Sequence, residues 1–523
     1  MTKHKILVLS LCACMMIVAW RALSVAPVRA ADIPDWSQWG GTSLHTSSTS
    51  AVGQTPSVQL ASLTYDPFVS QEQAEEHGVL LAHYQVPLID GNQIFLEYKT
   101  GTYVSCNPAG SGQPYPCGPN AWNNEIWNER AFTWQNGSLV DLWNFQSDWK
   151  PEPNSNFGGL PKSYGLVGWE PVFHAALWNS YVFVPGWAGT IYQLNESDGK
   201  VVAHYDPASG NPNAYVSSPL TIDSNGNVYY NVIVLDSTRP WTADIPDAWL
   251  VKITPQGMVQ KASYKVLVPG ANTKCFDGAV PCGSQRPGIN VAPAVSADGS
   301  MIYVATRGHL PVGFELSYVI AVNSDLTPAW QTSLRNLVSK GLAGFILDEA
   351  SSSPVVLPDG SVLFGMSSSG TYYYMVKFSS AGQYLAAYNF GWDDTPAVYA
   401  HDGTYSVITK NNQLGPLGPF FMTQLDSNLV PEWSFKDPTS DQDHPHGLEW
   451  CVNAPAVDAN GTVYADSEDG NLYAINQGGT LKGNVFLQES IGAAYTPVSI
   501  GRDGKIYTEN DGQMFVLGNA HGK

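Results

Sequence analysis

A proline that opens a short apolar strand, an Asp-Gly or Asn-Gly turn, and a second strand carrying an aromatic residue recur together eight times along this chain. The copies begin at Pro87, Pro171, Pro219, Pro293, Pro354, Pro396, Pro455 and Pro497. Their turns are Asp90-Gly91, the weaker Asn179-Ser180, Asn225-Gly226, Asp298-Gly299, Asp359-Gly360, Asp402-Gly403, Asn460-Gly461 and Asp503-Gly504. Two-residue hairpin loops of this kind need positive φ at both central residues, which Asp-Gly and Asn-Gly accept at low cost, so each copy reads as a hairpin. A second hairpin follows in seven units, as in Trp134-Gln135-Asn136-Gly137 leading to Trp143, or Ile475 to Gly479 leading to Phe486. The eighth unit runs out at Met514–Gly518, while Val58–Tyr65 reads as a fourth strand without a unit of its own. The expected fold is therefore all-β: an eight-bladed β-propeller of four-stranded antiparallel blades. Its N-terminal strand closes the last blade and removes the exposed edges of the ring.

A repeat array grows without starting a new core, so 523 residues do not by themselves imply several domains. The expected segments are a secretory signal over 1–30, an N-terminal extension over 31–54, the propeller over 55–518 and a tail over 519–523. The signal rests on Lys3 and Lys5, the apolar run Ile6–Trp20 and the small-residue site Val28-Arg29-Ala30. No later stretch approaches the roughly 20 apolar residues that a spanning helix needs. Export, to the periplasm or the cell surface, permits disulfides. The close pairs Cys106/Cys117 and Cys275/Cys282 fit that, and Cys451 is left over. A net charge of −20 argues against nucleic acid and anionic membranes as partners. Only 13% of residues are charged, with 25 Lys and Arg, and a cation-poor chain limits the self-repulsion that drives acid unfolding. The composition suits an acidic medium.

The repeat is sharpest in Ala454-Pro455-Ala456-Val457-Asp458-Ala459-Asn460-Gly461-Thr462-Val463-Tyr464, followed by Asp469-Gly470-Asn471-Leu472-Tyr473-Ala474-Ile475. In this it resembles the pyrroloquinoline-quinone-like β-propeller repeats shared by quinoprotein dehydrogenases and BamB-like outer-membrane assembly scaffolds. The resemblance spans about residues 55–518 and implies the fold. A fold of this kind hosts unrelated functions, so function has to be argued from a site. Within the group the chain also resembles the tetrathionate hydrolases of acidophilic sulfur-oxidising bacteria. That likeness implies an exported hydrolase of sulfur–sulfur bonds working in acid with an Asp general acid, no quinone and no metal. It further implies a homodimer formed through insertion loops. A BamB-like scaffold for protein binding is the alternative. A quinoprotein dehydrogenase is disfavoured, because the mature chain has no adjacent Cys-Cys pair and no Cys-x-x-Cys-His haem site.

In a propeller the connectors between blades share one face with the loops between the second and third strands, and the tight hairpin turns occupy the other. Every long insertion falls on the first face: about Glu97 to Arg130, Asp236 to Trp249, and connectors 147–170, 265–291, 331–352 and 436–453. Such loops build pockets or contacts. Connector 331–352 contains a helix-like Leu334–Leu342 and then Asp348, placed beside Phe345-Ile346-Leu347. Burial there raises a carboxyl pKa, as an acid catalyst requires, and the alternative reading is a turn-capping carboxylate. The carry-over of the family's acid to Asp348 is positional, with Asp394 of Asp393-Asp394 the next candidate. Arg286, Arg307 and His309 are cations on this face that would hold an anionic substrate or pair with acids. Trp450 and Cys451 stand at the entry to the seventh blade, and a free thiol there is either a nucleophile or a small buried apolar group. Asp441, Asp443, His444 and His446 cluster like metal ligands, but a solvated loop explains them as well.

Overall fold

A computed structural model describes residues 34–75, 80, 82–103, 124–152, 170, 172–238, 244–271, 275, 282, 285–309, 317–346, 352–368, 373–391, 394–412, 418–450, 454–489 and 497–519. The signal region lies outside them. Eight antiparallel sheets form, one for each repeat. Blade 1 runs Leu88–Asp90, Gln93–Gly101, Glu125–Gln135 and Ser138–Gln146, and the later blades repeat this order from the axis outwards. Blade 8 takes Val498–Ile500, Ile506–Asn510 and Gln513–Gly518 from the C-terminus and Val58–Thr64 from the N-terminus, with Val58 opposite Gly518 and Thr64 opposite Gln513. Ring closure by the N-terminal strand is thus as expected.

The aromatic and glycine positions of the repeat pack against each other across blade boundaries. Trp143 of blade 1 covers Gly199 of blade 2 so closely that an added Cβ would sit 2.7 Å from the ring, and Trp330 covers Gly382 of blade 5 at 2.6 Å. Both glycines also have positive φ, so space and backbone each demand glycine there.

Three expectations change. The strands of blade 1 extend to Gly101 and start again at Glu125, so its insertion is shorter than Glu97 to Arg130, and Glu97, Lys99 and Glu129 are buried sheet residues. In blade 2, Ala175 holds the register place of the repeat's proline, three residues before the end of the inner strand Ala176–Trp178, and Pro171 lies outside the described residues. No helix forms over Leu334–Leu342. Asn336 takes φ +60°, its backbone N–H donates to the Leu342 carbonyl, and its side chain accepts from the Gly341 N–H. An Asn that serves its own loop in this way competes with helix.

The extension proves to be a belt around the axis on the turn face. Trp36 exchanges both backbone hydrogen bonds with Ile89 of blade 1, and the Ser37 carbonyl accepts from Leu177 of blade 2. The Gln38 side chain pairs with the Ile222 backbone of blade 3, donating to its carbonyl at 3.1 Å and accepting from its N–H at 2.6 Å. Carbonyls of Ser43, Leu44, Thr46 and Ser47 accept from Val295, Val356, Val398 and Val457 of blades 4 to 7, and Gln54 donates to Gly504 of blade 8. His45, wholly buried at φ +59°, anchors the middle: Nδ1 donates to the Pro354 carbonyl at 2.9 Å, and Nε2 accepts from Thr221 Oγ1 at 3.3 Å. Each inner strand has a free edge facing the axis, and the belt satisfies it.

Candidate functional site on the loop face

Two buried arginines face each other where blades 3 and 4 meet. Arg286 and Arg307 are direct cross-strand partners, 1% and 7% exposed. Arg286 Nη1 donates to the Pro287 carbonyl at 3.2 Å and Arg307 Nε to the Gly308 carbonyl at 3.3 Å. Like charges directly opposite in a ladder repel each other. His309 follows two residues after Arg307 and is buried, with its Nδ1 accepting the Ile245 N–H at 3.2 Å. In the neutral ring the proton then sits on Nε2. Asp244, Cys282 and His309 bring one side-chain atom each to within 4.8 Å of one another. Cys282 is bonded to Cys275 in a disulfide and offers no thiolate, so the trio lacks the donor set of a metal centre. Of the three cations expected on this face, Arg286 and Arg307 are thus cross-strand partners, and His309 lies beside Cys282 of the Cys275–Cys282 bridge.

A second cluster escaped the sequence reading. Lys99, on the second strand of blade 1, is fully buried, with Nζ 2.8 Å from Asp66, 3.3 Å from Glu72 and 2.6 Å from Glu170. Asp66 follows the closing strand, Glu72 lies on the short helix Val69–Glu75, and Glu170 ends the connector into blade 2. The rings of Tyr84 and Trp127 stand 5.5 and 5.8 Å from the ammonium, and Trp127 Nε1 donates to Glu170. Burial opposes the charge on Lys99, but Asp66, Glu170 and Glu72 outweigh it and hold its pKa well above the ordinary value. Burial pushes Glu72 up, and takes Glu125 and Glu170 to about 8 against the pull of Lys99. Protons are thus shared within the cage. Lys150 donates to the Glu125 carbonyl, and its own pKa is lowered by burial.

The other expected site residues have local roles. Asp394 is buried and accepts from Thr409 Oγ1 at 2.5 Å and from the Lys410 N–H at 3.4 Å. Trp450 is a core residue, edge-on to Tyr473 with ring centres 5.4 Å apart. His444 and Asp441 form an exposed pair at 3.0 Å, which raises the His444 pKa. Asp348, Cys451, Cys106, Cys117 and Asp393 lie outside the described residues.

Across the axis, Asn290 of the blade 4 connector accepts the Val172 N–H at 3.0 Å and contacts His83 Nδ1 at 3.3 Å, tying together the entries to blades 1, 2 and 4.

Neither a family model nor a curated protein matches this sequence. Solved structures do match in shape. One is a europium-containing methanol dehydrogenase, with TM-score 0.55 and 11% identity over 90% of this chain and 89% of that one. Another is quinohemoprotein alcohol dehydrogenase from Comamonas testosteroni, with TM-score 0.53 and 13% identity over 94% and 82%. What is shared is the propeller fold. BamB from Moraxella catarrhalis also matches, at TM-score 0.44 and 12% identity over 88% of this chain and 99% of BamB. At these identities the likeness concerns the propeller alone, and the loop-face residues carry any argument about chemistry.

Proposed function

We propose that this chain is an exported hydrolase of sulfur–sulfur bonds that takes a small dianion, tetrathionate, and works in acid. The observation that carries the reading is the buried Arg286–Arg307 pair with His309 beside it on the loop face. A dianion with a sulfonate at each end matches two adjacent guanidiniums, which bind such groups bidentately. The cation-poor composition and the buried carboxyls around Lys99 suit an acidic medium. In the reaction, Arg286, Arg307 and His309 hold one sulfonate. A protonated carboxyl, assigned by resemblance to Asp348, donates to the departing sulfur group as water attacks the chain. Homodimerisation through the insertion loops belongs to the same reading.

The test is to incubate the mature protein with tetrathionate at about pH 3, where a carboxyl of ordinary pKa is mostly protonated, and to assay thiosulfate. No turnover overturns the hydrolase reading and leaves the protein-binding scaffold. Turnover that survives Asp348→Asn moves the acid to another residue.

A further inference from the structure

The disulfide Cys275–Cys282 sits in the setting of a reactive bond. Its S–S link is formed, with Cα atoms 5.6 Å apart, and both cysteines are half-buried rather than sealed in the core. Cys282 Sγ lies within 4.8 Å of a carboxylate oxygen of Asp244 and a ring nitrogen of His309. Asp244 is wholly buried and His309 is 1% exposed, so this acid–base pair is held in place by the fold. Three residues beyond Cys282, Gln285 accepts from Thr306 Oγ1 at 3.0 Å, and the next residue is Arg286, opposite Arg307. One bridge therefore has a buried Asp–His couple near one of its sulfurs and, four residues on, a buried arginine paired across the sheet with a second. A staple that only closes a loop needs neither.

We propose that Cys275–Cys282 is an exchange-active disulfide whose partner is a small sulfur oxyanion, with Arg286 and Arg307 drawing the anion in and Asp244 and His309 serving the leaving sulfur. Exchange runs fastest when the leaving thiolate is stabilised, so the sulfur beside Asp244 and His309 is the one that leaves. A lone pair on the anion's sulfur forms a bond to Cys275 Sγ as the Cys275–Cys282 bond breaks. The bonding pair departs on Cys282 Sγ, to which the His309 Nε2–H turns as a hydrogen-bond donor while a protonated Asp244 carboxyl supplies the proton that makes the thiol. With sulfite the products are S-sulfonated Cys275 and a Cys282 thiol. The sulfite sulfur gives up the electron pair that Cys282 gains, so no outside oxidant or reductant enters. Reversal by the Cys282 thiolate expels the anion and restores the bridge. Thiosulfate attacks in the same way through its terminal sulfur.

This inference shares its ligand class and Arg286, Arg307 and His309 with the proposed hydrolase, but it concerns a different bond and a different reaction. The experiment treats the unreduced mature protein with sulfite, and in a second arm with thiosulfate, in the presence of an alkylating trap and oxidised glutathione as an internal reference. Peptide mass spectrometry then locates the adducts. The expected result is one sulfonate on Cys275, one alkyl group on Cys282, and cleavage faster than that of glutathione disulfide. His309→Gln and Asp244→Asn each slow it by about tenfold or more, with thermal melting showing that the variants are folded. Because a fold defect can mimic that loss, Arg307→Gln is the second variant: it slows cleavage by the sulfite anion but not cleavage by the neutral reductant dithiothreitol, a split that a fold defect would not produce. Cleaved glutathione beside an intact bridge overturns the proposal, as does sulfonation of Cys282, or a rate unchanged in both His309→Gln and Asp244→Asn. Tetrathionate turnover in the same preparation separates the two claims. Turnover without sulfonation sinks only the exchange site, and sulfonation without turnover sinks only the hydrolase.

Discussion

Asp35 and Arg502 stand 467 residues apart in the chain and 2.6 Å apart in space, Oδ1 to Nε. Two residues further on, the Gly504 carbonyl accepts from Gln54. The belt therefore starts and finishes at the same hairpin turn of blade 8 after passing all the other blades. Its two ends differ in what they contribute. Arg502 is 57% exposed, and an exposed pair of this kind is worth under about 1 kcal/mol, so Arg502→Ala should hardly move the melting temperature. His45→Leu keeps the volume but strips the Pro354 carbonyl of its donor at a fully buried position, at a cost of about 1–3 kcal/mol. Thermal melting of the two variants side by side checks the contrast.

Among the described residues, Lys99 is the only cation within bonding distance of Asp66, Glu72 and Glu170. Lys99→Met removes the partner and leaves buried carboxylates without compensation, which costs about 3–5 kcal/mol near neutrality. The loss should shrink in acid, where the same carboxyls take up protons and stop repelling one another. Denaturant unfolding of Lys99→Met at pH 7 and pH 4 tests this. An equal loss at both pH values would mean that packing, not charge, holds the cage.

The repeat was readable because strand period, Asp-Gly turns and interblade aromatics all act locally, and seven complete units fix the place of the incomplete eighth. The belt was not readable. Residues 34–54 have no apolar periodicity, since most of their contacts are backbone hydrogen bonds to other blades. The Lys99 cage was hidden for a related reason. Glu97, Lys99, Glu125 and Glu129 alternate along two strands as solvent-facing charges do, and only the closing strand, the helix Val69–Glu75 and Glu170 bury them. Arg286 and Arg307 were found by composition, as rare cations on the loop face. Their pairing depends on a two-residue strand, Arg286–Pro287, that no pattern announces.

Substrate affinity should depend on the arginine pair more than turnover does. Arg307→Gln removes one charge-assisted contact, worth about 1.5–3 kcal/mol, so KM for tetrathionate should rise by roughly ten- to a hundredfold. kcat should change far less, because the group holds the end of the substrate and not the breaking bond. A steady-state comparison of the two parameters decides it. A fall in kcat at constant KM would place Arg307 at the reacting sulfur instead.

Stability should pass through a maximum in mild acid. Burial raises Glu125, Glu129 and Glu170 to about 8. Raised carboxyls contribute stability that is fully present below their ordinary value of about 4.3 and is lost as pH rises through about 8. Burial lowers His45 to about 4 and His174 to about 3. Their contribution is present above about 6.5 and is lost as pH falls through those lower values. The three carboxyls outnumber the two imidazoles where the ranges overlap, so melting temperature should climb from pH 8 towards pH 4–5 and fall again below it. A melting series from pH 2.5 to 9 would show a dome, whereas a curve rising steadily to pH 7 contradicts the burial of these acids in protonated form.

One register position ties that pH dependence to the repeat. Glu97, Asp466 and Glu509 each lie three residues after the partner of an inner-strand aliphatic residue: after Ile94, Val463 and Ile506, which pair with Ile89, Val457 and Ile500 of blades 1, 7 and 8. All three are buried, and burial pushes all three well above the ordinary carboxyl range. Thr508 donates to Asp466 across the boundary of blades 7 and 8, and Gln85 donates its N–H to Glu97 at 3.2 Å. Glu509 feels the charges of both Glu97 and Asp466, so ionising any one makes the next harder to ionise. The neutral amide has the shape of the protonated acid. Glu509→Gln should therefore leave stability at pH 4 within about 1 kcal/mol of the parent and raise it at pH 8, where the parent must bury or neutralise a charge. The slope of melting temperature against pH between 5 and 8 should flatten accordingly, and a variant that loses stability equally at pH 4 and pH 8 would show that Glu509 is needed for a hydrogen bond its amide cannot make.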